Sequence, residues 1–178
     1  MNRLIIPLFI ILTISLFAEN DPDSTINPFK YFVGSWTGKE TGKTGIGKGE
    51  REYIFILDNN FLFQKNTSTF EPQKKNPKGE VHQDWAFYSF DKIRQKYILR
   101  EFHSEGYVNQ YVLDSLSTDN KTMVFVSEAI ENVPDGWRAR VSFKIQSEDE
   151  FYETFELASP GKEFSLILEN KWNRVDKK

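Results

Sequence analysis

Apolar and polar residues alternate with a period of two along much of this chain. The clearest stretch sets Trp137, Ala139, Val141, Phe143 and Ile145 against Arg138, Arg140, Ser142 and Lys144. Period two sends one set of side chains toward a core and the other toward water, which is the pattern of a strand. The same reading predicts strands over Trp36 to Thr41, Glu50 to Leu57, Phe61 to Phe70, Val81 to Phe90 and Lys96 to His103. It continues with Tyr107 to Asp114, Thr122 to Ile130, Trp137 to Ile145, Glu150 to Ala158 and Glu163 to Arg174. Turn formers such as Asp58-Asn59-Asn60, Pro134-Asp135-Gly136 and Ser159-Pro160-Gly161 separate them. Gly42 to Gly49 predicts a flexible glycine-rich loop, and Glu71 to Gly79 a long polar one. Helical spacing occurs only in Ile26 to Val33, where Phe29, Phe32 and Val33 form one stripe. Evenly spaced strands without long crossovers predict an all-β fold: a single ten-stranded antiparallel up-and-down β-barrel with a short N-terminal helix.

The first residues stand outside this pattern. Met1-Asn2-Arg3 carries one positive charge, Leu4 to Phe17 is almost wholly apolar, and Ala18 precedes a polar stretch. That is the order of a secretory signal peptide. The apolar run is shorter than the roughly 20 residues a membrane-spanning helix needs. The expected organisation is a signal peptide over 1–18, a linker over 19–28 and the barrel domain over 29–175. The mature protein is expected to be exported, periplasmic or secreted, with no stable membrane anchor.

Composition narrows the chemistry. A formal net charge of −3 makes the chain a poor electrostatic match for nucleic acid. With no cysteine there is no disulfide, no thioether lipid anchor and no thiolate ligand or nucleophile. Gly42-Lys43-Thr44 lacks the preceding glycine of a phosphate-binding loop, and no Gly-x-Ser-x-Gly elbow exists for a serine hydrolase. His82-Gln83-Asp84 and His103-Ser104-Glu105 are two imidazole–carboxylate pairs that can meet across a sheet as a metal site. Two histidines and no cysteine make a rim pair the simpler expectation.

Gly34-Ser35-Trp36 opens the strand region and Trp172-Asn173-Arg174 closes it, with Tyr97 to Asp114 (YILREFHSEGYVNQYVLD) and Val126 to Arg140 (VSEAIENVPDGWRAR) between. Together these segments resemble the calycin superfamily. More narrowly, they resemble bacterial lipocalin-like domains of unknown function related to nitrobindin-like heme-binding β-barrels. The resemblance implies a container for a small molecule, with Gly34, Trp36 and Arg174 as a structural signature and the Arg lying across the indole at the closed end. It also allows heme as a cofactor, the identity of any cofactor being otherwise open. Nitrobindin-like barrels hold heme iron through a His near the C-terminal strand, and Phe164 to Arg174 contains none. His103 or His82 would have to serve instead, from another wall.

A two-residue turn at Glu105-Gly106 pairs Phe102 with Asn109 and Arg100 with Tyr111. This register puts Arg100, Phe102, Asn109 and Tyr111 on the more aromatic face. Arg100 and Tyr111 are then expected to hold a ligand carboxylate, with Phe102 and Asn109 beside them. A one-residue change in the turn would exchange the faces and bring His103 inside. Three functional readings follow. The first is an exported, non-catalytic binding protein for a small apolar or amphipathic molecule. The second is a heme barrel with nitric-oxide or peroxide-type chemistry. The third is a barrel filled by its own side chains, since the chain has sixteen Phe and four Trp, acting as an interaction module.

Overall fold

The computed structural model describes residues 27–43 and 45–175, so the expected signal peptide and most of the linker lie outside the described residues. A 3-10 helix over Asn27–Phe32 precedes ten strands. These are β1 (Gly34–Gly42), β2 (Gly45–Ile56), β3 (Phe61–Phe70), β4 (Glu80–Asp91) and β5 (Lys96–His103). β6 (Val108–Leu116), β7 (Thr122–Glu131), β8 (Arg138–Ile145), β9 (Glu150–Ala158) and β10 (Ser165–Arg174) complete the set. Each strand pairs antiparallel with its sequence neighbours, and β1 pairs with β10, so the sheet closes on itself and has no free edge. The predicted all-β barrel is the observed fold.

The two ends of the barrel differ. At the end where β1 begins, the 3-10 helix enters the lumen as a plug. Phe29 packs on Tyr88, Tyr97 and Phe125, while Phe32 packs on Tyr53, Phe143 and Phe151. Both are fully buried, and each contributes about 1.5–3 kcal/mol relative to exposure. Trp36 locks the plug through an indole N–H that donates to the Phe32 carbonyl at 2.7 Å. Pro28 suits the start of so short a helix, because its fixed φ is compatible with the turn and its missing N–H costs nothing there.

Two expectations are corrected. Gly45 to Gly49 is not loop but the start of β2, and only Lys43 and Thr44 lie between the first two strands. Its inner face runs Gly45, Gly47, Gly49, Arg51, Tyr53. Glycine there makes room, since a Cβ on Gly49 would stand 2.3 Å from the Trp172 ring and one on Gly47 would stand 2.7 Å from Phe70. The β5–β6 turn is also one residue longer than the expected Glu105-Gly106 pair. His103 N–H donates to Tyr107 O at 3.1 Å, Gly106 N–H donates to His103 O at 2.9 Å, and Gly106 takes φ +89°. That is a three-residue loop closed by a left-handed glycine. The register becomes Leu99↔Tyr111, Arg100↔Gln110, Glu101↔Asn109.

Candidate functional site

The longer turn decides which side chains of β5 and β6 enter the barrel. Leu99, Glu101, His103, Asn109 and Tyr111 face inward. Arg100 and Phe102 face outward. Arg100 is exposed, and Phe102 stacks edge-on against Phe87 on the outer wall. The expected ligand set is therefore split. Asn109 and Tyr111 are inside and fully engaged: Asn109 Nδ2 lies 3.0 Å from His103 Nε2, and the Tyr111 hydroxyl donates to Glu101 Oε2 at 3.4 Å. A guanidinium and a phenol facing each other across this hairpin do not occur.

Above the aromatic plug lies a layer of buried polar side chains. Arg51 is its centre. Its Nη1 forms an ion pair with Glu153 Oε1 at 3.0 Å and donates to the Tyr53 hydroxyl at 3.1 Å, while Nε donates to Asn66 Oδ1 at 3.0 Å. The guanidinium lies 4.2 Å above the Trp172 ring. Trp172 Nε1–H and Asn170 Nδ2 both donate to Glu153 Oε2, at 2.8 and 3.1 Å. Asn66 Nδ2 and Gln64 Nε2 donate to the two oxygens of Asp84. Tyr88 donates to Gln64 Oε1 at 3.0 Å. Tyr53, Tyr88 and Tyr111 thus join the layers, rings in the aromatic floor and hydroxyls in the polar one.

Beyond this layer the barrel is hollow. A cavity of about 290 Å³ opens at the end opposite the plug. One wall is polar and comes from β1 to β5, with Glu40, Ser68, Asp84, His82 and Glu101 prominent. The facing wall, from β8 to β10, carries the apolar Val141, Phe155, Leu157 and Leu168, with Glu153 and Asn170 at its floor. Burial pushes the Glu40 carboxyl up to about 7, against the opposing pull of Ser68 and Arg51.

His82 and His103 meet across β4 and β5, with His82 Nε2 3.4 Å from His103 Nδ1. His82 Nδ1 lies 2.8 Å from Glu105 Oε1, and Nε2 lies 3.4 Å from Asp84 Oδ2. Burial alone would lower the His82 pKa, but the bonds to Asp84 and Glu105 outweigh it and raise the ring to about 9. His82, His103 and Glu105 present ligand atoms within 4.8 Å of one another. His82 stands between the other two, with Nδ1 against Glu105 and Nε2 against both Asp84 and His103. The site does not fit heme. Every ring nitrogen of both histidines already has a polar neighbour, and a macrocycle with two propionates needs far more room than this cavity offers.

At the plugged end, Gly34, Trp36 and Arg174 serve the fold. Arg174 pairs with Trp36 in the β1–β10 register and lies 4.2 Å over its ring, donating to the carbonyls of Val33 and Tyr31 at 2.8 Å each. Gly34 takes φ +120°, where a Cβ would also press on Arg174.

The residues that build the cavity were the hardest to see from sequence. Glu40, Arg51, Asn66, Asp84, Glu153 and Asn170 are charged or polar at inward positions, against the usual alternation. The one available signal was the period-two glycine run of β2 leading into Arg51.

No protein-family model matches the sequence, and no curated protein matches it. Solved structures do. The crystal structure of Rv2717c from M. tuberculosis superposes with a TM-score of 0.66 at 15% identity, covering 85% of this chain and 98% of that one. The S-type phycobiliprotein lyase CPES from Guillardia theta superposes with a TM-score of 0.54 at 10% identity, covering 85% of this chain and 93% of that one. At these identities the likeness is one of fold alone, shared along nearly the whole described chain.

Proposed function

We propose that this protein is an exported, non-catalytic binding protein that holds a small amphipathic molecule in the open half of its barrel. The observation that carries the reading is the two-walled cavity. A polar wall from β1 to β5 faces the apolar side chains of β8 to β10 above a polar floor, so a molecule with one polar end and one hydrocarbon side satisfies both. The plug and the polar layer form a rigid floor, so the space is preformed and little ordering is needed on binding. At about 290 Å³ the volume suits a short chain or a single ring system. The barrel-filling reading holds for the plugged half alone. The resemblance of Gly34-Ser35-Trp36 and Trp172-Asn173-Arg174 to lipocalin-like barrels supports the container role, while among the described residues His82 and His103 already have a polar neighbour at every ring nitrogen. Export rests on the order of charge and apolarity in residues 1–18.

Calorimetric titration with octylamine, octanol and octanoate tests the proposal. We expect saturable one-to-one binding of at least one of them. Leu157→Trp, which fills the cavity from its apolar wall, should abolish it at unchanged fold, and Arg100→Ala, on the outer face, should not. Absence of binding by all three would overturn the proposal.

A further inference from the structure

Glu40 and Asn170 are register partners across β1 and β10, both pointing into the cavity. They are buried to 0% and 4% exposure. Each uses one end of its side chain within the protein. Glu40 Oε1 accepts from the Ser68 hydroxyl at 2.8 Å, and Asn170 Nδ2 donates to Glu153 Oε2 at 3.1 Å. Because the Glu153 carboxylate only accepts, the Asn170 amide must turn its nitrogen that way, which leaves Oδ1 without a donor. Glu40 Oε2 and Asn170 Oδ1 are left over. Both are acceptors, and neither has a hydrogen-bond partner among the described residues. Buried polar atoms are seldom left unpaired, and here two belong to register partners that both line the cavity.

The surroundings define what they await. Five carboxylates line the cavity, from Glu40, Glu80, Asp84, Glu101 and Glu153, against the charges of Arg51 and His82. Arg51 has Nε and Nη1 committed to Asn66, Tyr53 and Glu153, and His82 is held between Asp84 and Glu105. Paired acceptors in an anionic lining call for a cation that carries several N–H donors. We propose that the cavity selects a primary alkylamine, whose ammonium group donates to Glu40 Oε2 and Asn170 Oδ1 while its hydrocarbon lies along Phe155 and Leu157. This rests on the binding role proposed above and names the ligand class. It also replaces the carboxylate ligand that an inward Arg100 would have favoured.

The groups that face Glu40 supply a second signature. Burial, Glu153 and Asp84 hold its proton on, and Ser68 and Arg51 favour its release. An ammonium beside the carboxyl adds to the second set, so binding expels the proton and amine affinity rises with pH from about 6 to about 8. Without a ligand, a protonated Glu40 donating to Asn170 Oδ1 would satisfy both atoms by itself, and amine and alcohol would then bind alike.

The test compares octylamine, octanol and octanoate on the purified protein by calorimetry at about pH 8. Octylamine should bind at least about tenfold more tightly than octanol, with octanoate weakest. Glu40→Gln, checked by thermal melting, should collapse the ratio of amine to octanol affinity. If that variant does not fold, wild-type selectivity and its pH dependence decide. Equal affinity for amine and alcohol, or preference for octanoate, overturns the amine assignment and leaves the binding role standing. Failure of all three ligands overturns both.

Discussion

Arg174 lies across Trp36, its guanidinium carbon 4.2 Å from the indole centroid, and the two residues face each other in the strand pair that closes the barrel. The same guanidinium donates to the carbonyls of Tyr31, Val33 and Glu148. It therefore ties the 3-10 plug, the first strand and the β8–β9 turn to the last strand. Arg174→Ala removes the cation–π contact and leaves carbonyls unpaired, so urea denaturation should show a loss of about 1–3 kcal/mol. Arg174→Lys should recover only part of it, because an ammonium cannot lie flat on the ring and donate in several directions at once. Unchanged stability in both variants would contradict the fastening role.

Trp172 occupies space that glycine provides. A Cβ on Gly38 would stand 2.7 Å from its ring, and Gly38 is the register partner of both Gly49 and Trp172. Gly38→Ala should cost about 1–3 kcal/mol by overpacking. In a Trp172→Phe background the cost should shrink, and a double-mutant cycle measures the coupling. Additive effects would show that the glycine answers to something other than the indole.

Two raised pKa values set the pH response. His82 rises from an ordinary 6.5 to about 9, so its stabilising contribution is complete below pH 6.5 and is lost as pH climbs through about 9. Glu40 rises from 4.5 to about 7, so its contribution is complete below pH 4.5 and is lost as pH climbs through about 7. Asp84, lowered by His82 and Arg51 despite burial, acts in the other direction and loses stability under acid. Thermal unfolding should therefore be most resistant in mildly acidic solution and fall toward pH 9. The His82 share is on the order of 1–2 kcal/mol after allowance for partial exposure. His82→Gln should flatten the decline between pH 6.5 and 9.

Phe32 is the centre of the plug, in contact with Tyr31, Tyr53, Phe143 and Phe151. Phe32→Ala should cost about 3–5 kcal/mol in denaturant unfolding, as expected for a large ring removed from a packed core. A cost below about 1 kcal/mol would mean that the plug adds little to the barrel.

How much of this was legible in the sequence depends on what each segment had to signal with. β8 shows its alternation openly, since Ala139, Val141 and Phe143 are apolar on the inner face. Trp36 and Arg174 were legible because the strands holding the chain ends must meet to close a barrel. β2 was hidden at its start because glycine has no side chain with which to display a face, although Gly45, Gly47 and Gly49 keep the period. In the β5–β6 hairpin, Ser104-Glu105-Gly106 suits a two- or a three-residue turn equally. The three-residue turn comes with a long-range contact, Ser104 N–H to Gln83 O at 2.9 Å, which no local rule contains. That single residue exchanges Arg100 and Phe102 for Glu101 and His103 inside the barrel. The cavity wall escaped notice for a related reason. Arg51 and Glu153 are stable inside because they pair with each other, and Asp84 because Gln64, Asn66 and His82 bond to it, and such pairing is visible only after folding.

The four tryptophans of the chain stand at four places: Trp36 at the plug, Trp172 beneath the cavity floor, and Trp85 and Trp137 exposed. Their indole N–H resonances give a direct test of where a ligand sits. In a nitrogen-resolved NMR titration with octylamine, the account predicts a saturable shift of the Trp172 signal, whose N–H bonds to Glu153 at the cavity floor. The Asn170 side-chain amide should move with it, and Trp36, Trp85 and Trp137 should stay in place. Shifts at Trp85 or Trp137 with Trp172 unmoved would put the ligand on the outer wall and contradict the account.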